Sequence, residues 1–235
     1  MPATIYLIPT VLAEGETDCL PDYILDAVNN CSAFFVENER TARRYLKLLS
    51  REIAIDDHEW FTIKEVNTET ISMFRQRILE EKNIGIISEA GCPGIADPGQ
   101  QLIAVAQDMN VKVKPLVGPN AILLALMASG MNGQHFQFVG YLPIDISERT
   151  KAIKTLESES RQKSCTQIFI ETPYRNNQLL ETMTKTCHPQ TKICVAVDLT
   201  AKTEMIQTKT ALQWKNTLPQ LHKRPAIFLL YAPQS

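Results

Sequence analysis

Asn83-Ile-Gly-Ile-Ile-Ser-Glu-Ala-Gly-Cys-Pro-Gly-Ile-Ala-Asp-Pro-Gly99 is the stretch whose reading decides the fold. Ile84-Gly85-Ile86-Ile87 has the length and branching of a buried parallel strand. It breaks into a loop holding Gly91, Pro93, Gly94, Pro98 and Gly99, with Glu89 and Asp97 among them. Leu102, Ile103, Val105 and Ala106 then recur at the spacing of a helix face packed on a sheet. Asp97 before Pro98 reads as an N-cap with proline at the first helical position. Strand, glycine-rich loop and helix in this order build a ligand crevice at the carboxyl ends of an open α/β sheet. The spacing matches neither G-x-G-x-x-G nor G-x-x-x-x-G-K-[ST], so a nucleotide-like ligand without a phosphate anchor is the better expectation. The plain alternative is a tight turn that needs its glycines only for backbone angles.

Outward from this loop the same alternation continues. Thr4 to Ile8, Ala33 to Glu37, Trp60 to Lys64 and Val111 to Leu116 read as strands. Helical patterns lie between them, so the first half is a parallel, doubly wound sheet. Val117-Gly118-Pro119-Asn120 breaks the pattern and places a boundary, giving α/β domains over 1–117 and 118–235. The helix that follows, from Ala121 to Ser129, is apolar nearly all round and is expected to be buried. The second half offers further strands in HFQFVGYL, CTQIFIE, KICVAVDL and RPAIFLLYA, and a charged segment from Ile146 to Lys163.

The chain has 235 residues and a formal charge of −2, so no overall basic field points to nucleic acid. The local exception is Arg40, Arg43, Arg44 and Lys47, spaced to share one helix face. That stripe is either a solvated face or an RNA-phosphate contact. The six cysteines contain no C-x-x-C pair and read as reduced structural thiols of a cytoplasmic protein. The four histidines are isolated, so no metal site is expected. No apolar run approaches the ~20 residues that span a bilayer, and no membrane role is expected.

SEAGCPGIADPG, then PLVGPNAILLALMASG, then FVGYLP together resemble the tetrapyrrole methylase superfamily of S-adenosylmethionine-dependent methyltransferases. Within it they are most similar to the ribosomal RNA small-subunit methyltransferase I branch, which methylates a cytidine 2′-hydroxyl. The resemblance implies two α/β domains with the S-adenosylmethionine cleft between them, a small-subunit ribosomal RNA substrate and a homodimer. It implies cofactor contacts at Pro9, Glu89, Ala90, Gly91, Cys92, Ile95, Ala96 and Asp97 on the first side. Asn120 and Ala121 would lie beneath the sulfonium, and Leu199, Thr200, Pro225 and Ala226 against the adenine. ETPYR, Glu171 to Arg175, stands where the family has E-S-P-H-R, with Tyr174 in place of the histidine. Glu171 and Arg175 are therefore the catalytic candidates, Glu171 as proton acceptor. Asn38 replaces an aspartate of the family, which removes a carboxylate there. Ala13-Glu14-Gly15 replaces the usual G-N-L of the first loop. Two rivals stay open: methylation of a tetrapyrrole or other small molecule, and a module that binds the cofactor or a nucleotide without catalysis.

Overall fold

In the computed structural model, which describes residues 2–233, the chain divides into two units that meet in sequence at Asn120 and Ala121. The first contains β1 (Thr4–Ile8), α1 (Tyr23–Asn29), β2 (Ala33–Val36), α2 (Glu39–Leu49) and β3 (Glu59–Thr62). It continues through α3 (Thr68–Leu79), β4 (Ile84–Ile87), α4 (Gly99–Asp108) and β5 (Lys112–Pro115). Its sheet runs β3-β2-β4-β1-β5, and every pairing is parallel. Helices cover both faces, which is why β2 and β4 are buried at every residue and apolar without alternation. Ile8, Phe34, Val36 and Ile87 pack against α1 and α2, while Ile5, Phe35, Ile84 and Ile86 pack against α3 and α4. The edge strand β5 exposes Lys112, as a sheet border should. The break at 117–120 closes this unit, three residues beyond the boundary expected from the pattern alone.

The second unit holds α5 (Ala121–Ser129), β6 (Phe136–Tyr141), α6 (Ile146–Lys163), β7 (Thr166–Ile170) and α7 (Asn176–Thr186). It ends with β8 (Lys192–Val197), β9 (Met205–Thr210), α8 (Ala211–Asn216) and β10 (Ala226–Tyr231). Its order is β6-β7-β10-β8-β9, parallel only between β6 and β7. The last strand therefore inserts between β7 and β8 and runs against both. Trp214 is fully buried under this sheet and donates its indole N–H to Ile193 O at 2.8 Å. The charged segment is the long helix α6, started by Asp145, whose side chain accepts from Glu148 N.

One expectation fails at α5. It packs on β8, β9 and β10 through Ala125, Leu126 and Ser129, but Leu123 and Met127 stay exposed, Met127 at 79%. A sheet covers only one side of a helix, so an all-apolar sequence does not by itself bury the other side.

The six cysteines are free. Among the described residues no group of His, Cys, Asp and Glu is arranged to hold a metal, and no helix is long and apolar enough to cross a membrane.

Candidate functional site

β1 and β4 are neighbours, yet the chain leaves β1 for α1 on one face and β4 for α4 on the other. Adjacent strands that part in this way open a crevice at their carboxyl ends. Three loops fill its borders. Thr10 N donates to Gly91 O at 2.8 Å and Thr10 Oγ1 to Ser88 O at 3.3 Å, tying the first loop to the glycine loop. Pro9 O accepts the Tyr45 hydroxyl at 2.6 Å. The segment after β5 closes from the other side, where a Cβ on Gly118 would stand 2.2 Å from Pro9 Cβ. Only glycine permits that approach.

Within the loop itself, the sequence-predicted residues take different tasks. Gly91 has φ +74°, and a Cβ there would meet Pro119 O at 3.1 Å and Leu12 Cδ2 at 3.2 Å. Ala96 holds φ +59°, a left-handed conformation that a side chain makes costly and that concentrates at ligand-binding turns. Ile95 is half-exposed beside it. Cys92 is fixed by its thiol, which reaches Pro119 O at 3.4 Å, and burial raises its pKa, so it stays a thiol.

Asp97 is consumed inside the loop. Its Oδ2 accepts Gly94 N at 2.8 Å and its Oδ1 accepts Gly99 N at 2.7 Å. Burial pushes its pKa up, and the same backbone N–H groups pull it back. The helix begins at Gly99 with Pro98 at the cap position, one step later than the sequence signal suggests. Glu89 turns toward α2 instead: its amide donates to Glu37 Oε1 at 2.9 Å, and its own Oε1 accepts the Thr41 hydroxyl. Glu37 is raised in pKa, first by burial and then by the nearby Asp97 and Glu89 charges. Asn38 has become the cap of α2, its side chain accepting from Arg40 N and Thr41 N.

Alongside lies a cavity of about 610 Å³ that sequence reasoning missed. Val11, Leu12, Tyr45 and Leu48 form apolar wall, and Glu89 and Arg44 line it too. No periodicity marks such a wall, because half of it is irregular loop.

In the second unit, antiparallel β10 brings three predicted segments to one sheet edge. Ile170 is opposite Ile227, and Val197 is opposite Ala226, so Glu171, Asp198-Leu199-Thr200 and Pro225-Ala226 converge. Glu171 is buried, and its Oε1 accepts Arg175 Nε at 3.0 Å, Arg175 Nη2 at 2.6 Å and Thr172 N at 2.7 Å. Its Oε2 is buried without a partner. Arg175 is raised in pKa by that bond. Leu199 is buried, whereas Thr200 holds φ +71° with a buried, unpartnered hydroxyl. A β-branched residue there is a strong conformational outlier. Asp198, at φ +49°, pairs with Arg224 at 2.8 Å, which locks the turn to the strand before Pro225. Asn120 and Ala121 stand at the junction between the two units in sequence.

The basic stripe is uneven. Arg43 binds Glu39 at 2.8 Å and Asp56 at 3.2 Å and lies 5.0 Å over the Trp60 ring. Lys47 donates to Arg51 O and Ile53 O at 2.9 and 2.7 Å. Arg44 meets Glu14 at 3.3 Å with both side chains exposed, and Arg40 makes no ion pair among the described residues.

No protein-family model matches the chain. It is 30% identical over 206 residues to "Ribosomal RNA small subunit methyltransferase I" of Vibrio cholerae, covering 86% of this chain and 67% of that protein. The chain belongs to the ribosomal RNA small subunit methyltransferase I family. The family's Halalkalibacterium halodurans member is 28% identical over 184 residues, 77% of this chain and 59% of that protein, so the chain spans roughly two thirds or less of these relatives. Among solved structures, the methyltransferase CobJ matches with TM-score 0.63 at 16% identity, covering 98% of this chain and 93% of that one. A Thermus thermophilus uroporphyrin-III C-methyltransferase, crystallised with S-adenosyl homocysteine, matches at TM-score 0.56 and 13% identity, covering 97% of each chain. The fold of the family member described here is that of the tetrapyrrole methylases.

Proposed function

We propose that the chain transfers a methyl group from S-adenosylmethionine to RNA of the small ribosomal subunit. The observation that carries this reading is the glycine loop at the β1/β4 parting. Gly91, where a Cβ would press on Pro119 O and Leu12, and the left-handed Ala96 give the loop a tight shape that a branched side chain at 91 would break. Family membership supports the same chemistry. Within the first unit Gly91, Ile95 and Ala96 fit the cofactor and would hold it; within the second, the buried Thr200 hydroxyl beside Leu199 is a polar atom still in need of a partner. Pro225 and Ala226 would add apolar wall.

When bound, S-adenosylmethionine supplies an electrophilic methyl on a sulfonium. The chain's own task is then alignment and proton handling. Glu171 Oε2 is a buried acceptor for the proton of an attacking ribose hydroxyl, and Arg175 holds the other oxygen so that the carboxylate keeps its direction. A cytoplasmic homodimer belongs to the same proposal, with the exposed apolar residues Leu123 and Met127 in its support.

The test is transfer of labelled methyl from S-adenosylmethionine to small-subunit RNA taken from cells lacking the gene. Melting is followed in parallel with S-adenosylhomocysteine, where a hundredfold excess over Kd adds about 2.7 kcal/mol. Gly91→Val should abolish both signals. Stabilisation by ATP or NAD, and none by S-adenosylhomocysteine, would overturn the reading.

A further inference from the structure

Around Glu171 the second unit exposes two aromatic rings that the carboxylate and its arginine do not use. β6 carries a bulge between Phe138 and Tyr141, where Gly140 holds φ +71°. Bulges beside active sites re-aim a side chain. This one sets Tyr141 opposite Ile170, the residue before Glu171, with the ring 62% exposed. Three residues after Glu171, Tyr174 is 68% exposed and stands in edge contact with His222, ring centroids 5.7 Å apart. Lys223 N donates to Pro173 O at 3.0 Å, which ties the His222-Lys223 turn to the Tyr174 loop. The Lys223 side chain is exposed and makes no ion pair among the described residues.

Exposed aromatic rings gathered at a site mark a surface that a partner covers. Rings beside a free cation are how single-stranded nucleic acid is held: bases stack on the rings and the charge follows the backbone. The cofactor accounts for neither ring. Its mark in this unit is the orphaned Thr200 hydroxyl on the turn after β8, whereas Tyr141 lies on β6, three strand positions and about 14 Å across the sheet. S-adenosylmethionine also brings a single base, and this surface offers two rings. We infer that Tyr141 and Tyr174 are stacking platforms for the nucleotides that flank the methylated one, with Lys223 facing their phosphates. The inference rests on the RNA methyltransferase reading above and adds the surface that holds the strand. It is independent of which base is modified, because every base has a face to stack. Tyr174 stands where the family motif has histidine, which gives this chain the larger ring.

The test uses the full chain and labelled octauridylate, read by fluorescence anisotropy, beside an octamer of ribose phosphate that carries no bases. Tyr141→Leu and Tyr174→Leu keep apolar bulk and remove the ring. Both positions are mostly exposed, so the fold tolerates the changes. Each should weaken octauridylate binding by about fivefold to a hundredfold, the worth of one stacked base, and leave binding of the baseless octamer unchanged. Tyr174→Trp, which keeps a ring, should keep the affinity. Lys223→Gln should weaken both octamers and reduce the slope of log Kd against log salt by about 1. S-adenosylhomocysteine-induced melting shifts and sedimentation are recorded for every variant. Octauridylate affinity that survives both leucine variants overturns the inference, as does an unaltered chain that binds the two octamers equally or binds neither. Loss of the S-adenosylhomocysteine shift in either leucine variant would assign the rings to the cofactor, and a changed oligomeric state would assign them to a second copy. Either result overturns it. An unaltered chain with no S-adenosylhomocysteine shift fails the cofactor reading, whereas an intact shift with ring-independent RNA binding fails only the platforms, so the two failures are distinguishable.

Discussion

Arg175 grips only one oxygen of Glu171, with Nη2 at 2.6 Å and Nε at 3.0 Å from Oε1, while the buried Oε2 has no partner. A bidentate fork would have satisfied both oxygens and is the common arrangement for this pair. Leaving one buried acceptor bare costs stability, on the order of 1–3 kcal/mol.

Glu171→Gln keeps the shape and removes the proton-accepting charge. Methyl transfer should fall by about 10²–10⁴ if Glu171 takes the hydroxyl proton. The S-adenosylhomocysteine melting shift should be unchanged. Transfer at the unaltered rate would return the carboxylate to a structural role.

Packing in the first crevice can be tested by a pair of glycines. A Cβ on Gly118 would collide with Pro9 at 2.2 Å, whereas Gly133 has nothing within 4 Å and no positive φ. Gly118→Ala should cost about 1–3 kcal/mol, as overpacking does, and lower melting by roughly 2–4 °C per kcal/mol. Gly133→Ala should leave melting in place. Equal effects would mean that the Pro9 contact does not hold the loop.

Much of this was legible in the sequence, and the reasons differ by residue. The Ile84–Ile87 strand and its loop were readable because burial on both faces leaves an apolar run and tight turns leave glycines. That Glu171 stands at a strand end was readable because the run CTQIFI turns polar there, whereas Leu199 and Thr200 were named only through the family resemblance. That Glu171 and Ala226 share one edge was not, since β10 enters the middle of its sheet from the far end of the chain. The uneven engagement of the basic stripe was hidden for a similar reason. Asp56 and Trp60, which engage Arg43, lie beyond the helix that carries it, so helical spacing alone could not show the pairing. That two backbone amides bond Asp97 leaves no trace in composition, so its part in shaping the loop was not readable.

Cys31 gives a pH dependence with a definite sign. Burial pushes its thiol up to about 12, from an ordinary 9.0. A raised folded value means that the folded chain keeps a proton which the unfolded chain loses. The stabilising contribution is therefore full below pH 9 and declines as pH rises from 9 toward 12. Equilibrium denaturation across that range should show falling stability, and Cys31→Ala should flatten the fall. An unchanged slope in the variant would assign the alkaline loss to other groups.

The basic helix should separate into two kinds of arginine. Arg43 is tied to Glu39 and Asp56 and stacked on Trp60, so Arg43→Ala removes folded-state contacts. A cation–π contact of this kind is worth about 0.5–2 kcal/mol, which should show as lower melting. Arg40 and Arg44 project from the same helix with no ion pair, and with one exposed pair, among the described residues. Arg40→Ala and Arg44→Ala should change stability by no more than about 0.5 kcal/mol. Each should reduce the slope of log Kd against log salt by about 1 if it contacts a phosphate. Titrations of small-subunit RNA at several salt concentrations, beside melting curves of all three variants, give both readouts. A lost salt slope in Arg43→Ala without lost stability would reverse the division and make the tied arginine the RNA contact.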